Sequence, residues 1–125
     1  MTGSILVRAS WLAGVGFFVG LGLWEFVSPR SFYEVVAVYP PFNAHFLRDG
    51  GAFSMGIGAG LLAAPKIRDG LAVSLIATAA GSLFHALSHF IDADLGGRAT
   101  DPWVLFLFAL VVSAGAMSRV KEAIR

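Results

Sequence analysis

The stretch GLAVSLIATAAGSLFHALSHFI, Gly70 to Ile91, contains no Asp, Glu, Lys or Arg from one end to the other. A helix that crosses the hydrocarbon core of a bilayer needs about 20 predominantly apolar residues, and this run has that length. Before it, a second apolar run from Phe46 to Ala64 ends at Pro65 and the basic pair Lys66 and Arg68. An earlier run, Ala9 to Val27, has Trp11 and Trp24 near its two ends, where interfacial aromatics belong. After it, Asp101 is placed to cap a fourth run from Trp103 to about Ser118, with Pro102 at the first helical position. The reading is an all-α integral membrane four-helix bundle, one domain over residues 1–125, with spans at about 9–27, 46–64, 70–91 and 103–118.

Composition agrees with that assignment. Hydrophobic residues make up 57% of the 125 residues and charged residues 14%, against roughly a quarter charged in a soluble domain. With a mean hydropathy of +0.76, the chain has too little polar surface to wrap itself in water, so the lipid bilayer is its expected partner. Cysteine is absent, which excludes disulfides and thiolate metal sites. No basic stripe with interleaved aromatics occurs, so nucleic acid is not an expected partner. The first span is kept in the mature protein, because Trp24-Glu25-Phe26 stands where a signal peptide would need small residues.

The connection from Ser28 to Ala44 holds structure of its own. Ser28-Pro29 reads as a cap and first-turn proline, and Phe32, Tyr33, Val35 and Val36 fit one face of a short interfacial helix that Pro40-Pro41 ends. A strand over Val35–Tyr39 is the alternative, and an unpaired strand at a membrane surface is costly. The very short link between the second and third spans predicts antiparallel neighbours.

Charge sets the expected orientation. Arg8, Lys66, Arg68, Arg119, Lys121 and Arg125 fall at one end of this layout with only Asp69 and Glu122 as acids. Arg30, Arg48 and Arg98 share the other end with Glu25, Glu34, Asp49, Asp92, Asp94 and Asp101. Basic flanks stay in the cytoplasm, so both termini are expected inside and the acidic end outside, in a multi-pass cell-membrane protein.

Small residues spaced four apart let membrane helices approach closely. Ala52, Gly56, Gly60 and Ala64 form such a stripe on the second span, Ala77 and Gly81 on the third, and Gly16 and Gly20 on the first. Continuing the second and third stripes outward reaches Asp49 and His45 on one and His85, His89 and Asp92 on the other. This convergence predicts one interhelical cluster containing every histidine of the chain, with Glu25 and Arg48 at its level. Two histidines one turn apart plus carboxylates suit zinc, iron, manganese or copper, with His45, Asp49, His85, His89 and Asp92 as ligands. Alternatively the same groups, with Glu25 and Arg48, bind a small molecule such as a quinone or lipid head group by exchanging protons. The bland reading is structural: Arg48 pairs with a carboxylate, the histidines bond one another or the backbone, and the chain is an accessory subunit of a larger membrane complex or a homo-oligomer joined through its Gly/Ala faces.

The segments Ser28-Pro29-Arg30-Ser31-Phe32-Tyr33 and Pro41-Phe42-Asn43-Ala44-His45-Phe46-Leu47-Arg48-Asp49-Gly50-Gly51, followed by His85-Ala86-Leu87-Ser88-His89-Phe90-Ile91-Asp92, resemble a group of uncharacterised small bacterial membrane proteins. More remotely, the four-helix layout and the Arg-Asp-Gly-Gly entry to the second span are similar to DoxX-like proteins, some of which are linked to quinone or thiosulfate oxidation. The resemblance implies a four-helix fold in a bacterial inner membrane and assigns no catalytic residue here.

Overall fold

A helix must satisfy the N–H groups of its first turn, and two polar side chains do this where the long helices begin. Ser4 Oγ accepts the N–H of Val7 at 3.4 Å, and Asn43 Oδ1 accepts that of Phe46 at 3.1 Å. The computed structural model describes residues 4–124, which form α1 (Ile5–Val27), α2 (Pro29–Val35), α3 (Ala44–Ala63), α4 (Gly70–Ile91) and α5 (Asp101–Ala123). The segment after α1 is the short helix, with Pro29 in its first turn, and no strand occurs among the described residues.

Asp101, expected to cap the last helix, lies inside its first turn. The chain makes a turn just before it, in which the Asp101 N–H bonds Arg98 O at 3.0 Å and Asp101 Oδ2 accepts the Arg98 N–H at 2.8 Å. Thr100 takes the cap position without a side-chain bond.

α1, α4 and α5 are each long and apolar enough to cross a membrane, consistent with a lipid environment. α3 is not among them: five of its 20 residues are glycine, and Arg48 and Asp49 lie in its first turns. The four long helices run alternately up and down. Ser4 N–H bonds Glu122 Oε1 at 3.0 Å, which joins the start of α1 to the end of α5, and Trp11 reaches Leu61 near the end of α3.

The packing order is α3, α1, α5, α4, and α3 and α4 touch far less than the helices that neighbour each other in this order. Short linkage therefore makes them antiparallel without making them close neighbours. They diverge, leaving a groove of about 300 Å³ whose walls include Gly60, Ala77 and Gly81. The small-residue stripes are corrected accordingly. Gly16, Gly20, Gly56, Gly60 and Gly81 have nothing within 4 Å of an added Cβ, and Ala52 and Ala77 are exposed; of the second-span stripe, only Ala64 is buried.

The contacts fall to other glycines. A Cβ on Gly51 would lie 2.7 Å from Gly22 O, one on Gly22 2.8 Å from Ser54 Cβ, and one on Gly58 2.5 Å from Val19 Cγ2. On the opposite side of α1, Gly115 of α5 leaves room for Ser10, whose Oγ donates to Val111 O at 2.8 Å. The face of α3 that meets α1 therefore runs through Gly51, Ser54, Gly58 and Leu61, turned well away from the face first expected. Gly16–Leu21 of α1 is π-helical. In a regular helix Gly14 and Gly22 would stand about 80° apart round the axis; across the wider turns between them both come to lie against α3.

The apolar core occupies one end. Val7, Ala64, Leu71, Leu75, Val112 and Ala116 form it, with Trp11 and Phe108 packed on its side. At this end Pro65 has no N–H to give Leu61 O, the carbonyl one helical turn back. Trp11 Nε1–H donates to that oxygen at 2.7 Å, which satisfies a group that lipid cannot.

Two outcomes test this packing by thermal denaturation in lipid nanodiscs. Gly58→Leu and Gly51→Leu are expected to lower the melting temperature by several degrees, while Gly56→Leu and Gly60→Leu leave it unchanged; the reverse ranking would restore the original stripe. Trp11→Phe is expected to cost about 1–3 kcal/mol, the usual penalty for an orphaned buried acceptor. An unchanged stability would show that Leu61 O has another partner.

Candidate functional site

The end opposite the core is hollow. A cavity of about 360 Å³ lies between α1, α4 and α5, covered by α2 and the segment that follows it. Its walls are mostly apolar, with Phe17 and Leu21 from α1, Phe32 and Val35 from α2, and Val104 and Leu105 from α5. Into it face Glu25, Tyr39, Ser54, His85, His89, Arg98 and Asp101.

Each polar group has a local reason for its place. Glu25 belongs to the last turns of α1 and lies over Gly50, where an added Cβ would stand 2.6 Å from Glu25 Oε1. Gly50 and Gly51 thus have separate tasks: the first makes room for the carboxylate, the second for the α1 backbone. His85 and His89 are one turn apart on α4, and their Nε2 atoms lie 3.2 Å from each other. They adjoin the buried face of α4 that carries Thr78, Ser82 and Ala86, not the exposed Gly81 side. His89 Nδ1 lies 3.0 Å from Tyr39 Oη, with the two rings edge to face at 86°.

Tyr39 is held by the loop after α4. Gly97 N–H donates to Val38 O at 2.8 Å, and an added Cβ on Gly97, which has φ +77°, would collide with the Tyr39 ring. Burial, and then the carboxylates of Asp101 and Asp92, push the Tyr39 phenol above its ordinary pKa. It therefore stays protonated through neutral pH.

The expected cluster is divided. Glu25, His85 and His89 come together in the cavity. His45 and Asp49 form a separate pair, 3.5 Å apart, on an exposed face of α3 with side-chain exposures of 88% and 58%. Arg48 is exposed and makes no ion pair among the described residues. Asp92 ends α4 and acts on Tyr39 through its charge without lining the cavity. The physical reason is the rotation of α3: with Gly51 and Gly58 inward, His45 and Asp49 turn outward. Among the described residues, no group of three or more His, Asp or Glu side chains is gathered closely enough to hold a metal ion.

Tyr39, Arg98 and Asp101 are the site residues that sequence reasoning missed. The usable signal was Gly96-Gly97 in the loop after α4, paired with an aromatic residue just before Pro40-Pro41. Compared with protein-family models, curated proteins and solved structures, the chain matches none, and nothing in them bears on the resemblance carried by Arg48-Asp49-Gly50-Gly51.

Proposed function

We propose that this chain is a four-span membrane protein whose outer-end cavity binds a small lipid-borne molecule with a hydrogen-bonding head, such as a quinone or a lipid. α3 acts as the remaining span, sheltered along its glycine face by α1. Both termini are cytoplasmic and the cavity end is extracytoplasmic, because Arg8, Lys66, Arg68, Arg119 and Lys121 gather at the opposite end. Arg125, the other basic residue assigned there, lies outside the described residues.

The observation that carries the ligand reading is the cavity itself: apolar walls with Glu25, His85 and His89 on one space. A volume of about 360 Å³ lies in the usual range for small-ligand pockets, roughly 300–1,000 Å³. Ionisable side chains inside a membrane protein are costly and mark functional sites by default. Val35 and Val104 on the cavity wall are 51% and 62% exposed, which favours entry from the bilayer over entry from water.

A second reading has one observation in its favour. Two Nε2 atoms 3.2 Å apart are spaced as two ligands of one divalent ion with bonds of about 2.0–2.1 Å, and Tyr39 behind His89 fits a supporting partner. Zinc, iron, manganese or copper held there would need its remaining ligands from water or from the bound molecule. The open faces at Gly56, Gly60 and Gly81 leave room for a second copy or another membrane subunit.

Topology is checked with single cysteines, since the chain has none of its own. Asp94→Cys is expected to react with an impermeant thiol reagent on intact cells and Asp69→Cys to be spared; reversed labelling would invert the orientation. Ligand binding is checked by thermal shift in nanodiscs with decylubiquinone, alongside elemental analysis. Wild type is expected to be stabilised, Glu25→Gln and the cavity-filling Leu105→Trp to lose the shift, and His45→Ala to keep it. Stoichiometric metal that disappears in His85→Ala would favour the ion, and neither shift nor metal would leave the accessory-subunit role.

A further inference from the structure

We infer that the cavity takes a lipid-borne primary amine, whose head is held by the Glu25 carboxylate. The inference rests on the cavity being a ligand site and names the chemical class of its ligand. Neutral heads enter the same space and bind it more weakly.

Glu25 is placed and left without a partner. Both of its carboxylate oxygens lie over Gly50, where an added Cβ would stand 2.6 Å from Oε1 and 3.4 Å from Oε2. Among the described residues neither oxygen receives a hydrogen bond or meets a cation. The wall beside it is Phe17, Leu21, Val104 and Leu105, which offer no donor. His85 and His89 are turned to each other and to Tyr39, so they leave Glu25 to the ligand. A carboxylate against apolar walls is costly until donors reach it, and it accepts several at once.

The rest of the site has the same sign. Asp101 faces the cavity and uses Oδ2 to accept the Arg98 N–H at 2.8 Å. Asp92 is near enough to act on the Tyr39 phenol through its charge. Against these three carboxylates stands one guanidinium, that of Arg98, which is exposed and makes no ion pair among the described residues. A cleft of one sign between apolar walls concentrates ligands of the other.

A primary amine answers both demands, since it brings N–H donors and positive charge. Opposite Glu25 it forms a charge-assisted hydrogen bond, stronger than a neutral one. A fatty acid or a phosphate would be repelled, and a quaternary ammonium has no N–H to give. The tail leaves between Val35 and Val104, the exposed part of the wall.

The test uses the whole chain in phosphatidylcholine nanodiscs, which contain no primary amine. Dodecylamine, dodecyltrimethylammonium, dodecanol and dodecanoate share one tail, and affinity is read from the rise of melting temperature with concentration. Dodecylamine is expected to bind about tenfold or more tightly than dodecanol, the trimethylammonium head to fall below the amine, and dodecanoate to bind least. Glu25→Gln is expected to cost the amine about tenfold or more; where that variant does not fold, the ranking of the four heads on wild type decides alone. Phosphatidylethanolamine added to the discs separates the sources of the amine: competition with dodecylamine points to the phospholipid head, no competition to a free long-chain amine, and either result upholds the class. Equal binding of amine and alcohol, tightest binding by either of the other heads, or an amine indifferent to Glu25→Gln would overturn the amine and leave the ligand site standing. No shift with any of the four, nor with decylubiquinone, would overturn the site and the amine together.

Discussion

The structure depends on one close approach, the crossing of α1 and α3 at Gly22 and Gly51. Lipid provides no hydrophobic drive between helices, so contact has to come from backbones near enough for dispersion and weak polar attraction. A side-chain carbon on Gly51 would meet both Gly22 O and Phe26 N at 2.7 Å, which is why neither helix carries one there. From this crossing follow the direction of Glu25, three residues beyond Gly22, and the outward turn of His45 and Asp49. The composition of α3, too glycine-rich to be a strongly apolar span, is the cost of that fit.

Around this crossing the bundle separates two kinds of space. One end is filled by Val7, Leu75 and Val112, each with 0% exposure. The other end is left open and ringed by acids, histidines and a phenol. α2 and the segment beyond it close the open end through Trp24, whose Nε1–H donates to Ser31 Oγ at 2.7 Å, and through Phe32, packed edge-on against the Trp24 ring. A packed floor and a covered, mostly apolar vestibule with a few polar groups are thus built from the same four long helices.

Much of the fold was legible in the sequence because apolar length and proline position are local signals. The uncharged run from Gly70 to Ile91 is one helix with those ends, and Pro29 starts the short helix. Helix rotation was not legible. Glycines at Gly51, Gly56, Gly58 and Gly60 lie on different faces of α3, and a four-residue spacing selects Gly56 and Gly60, whereas the pair that makes contact, Gly51 and Gly58, is seven apart. At the site, Glu25, His85 and His89 were within reach because ionisable groups in apolar runs are few. Tyr39 and Asp101 were not, since their place depends on how two loops meet over the bundle, which no periodicity records.

The π-helical stretch of α1 divides that helix into two registers. Trp11 and Gly14 lie on the side toward the core, and Trp24 and Glu25 lie beyond the wide turns. Regular winding through Gly16–Leu21 at the same chain length would turn everything after it by about 80° from its present place. The half carrying Ser10 and Trp11 would still seat against Val111 and Leu61, yet the carboxylate would swing off the cavity wall. α1 therefore behaves as a shaft with a fixed offset, in which the winding between the two halves, more than the identity of any side chain there, determines what the far end presents.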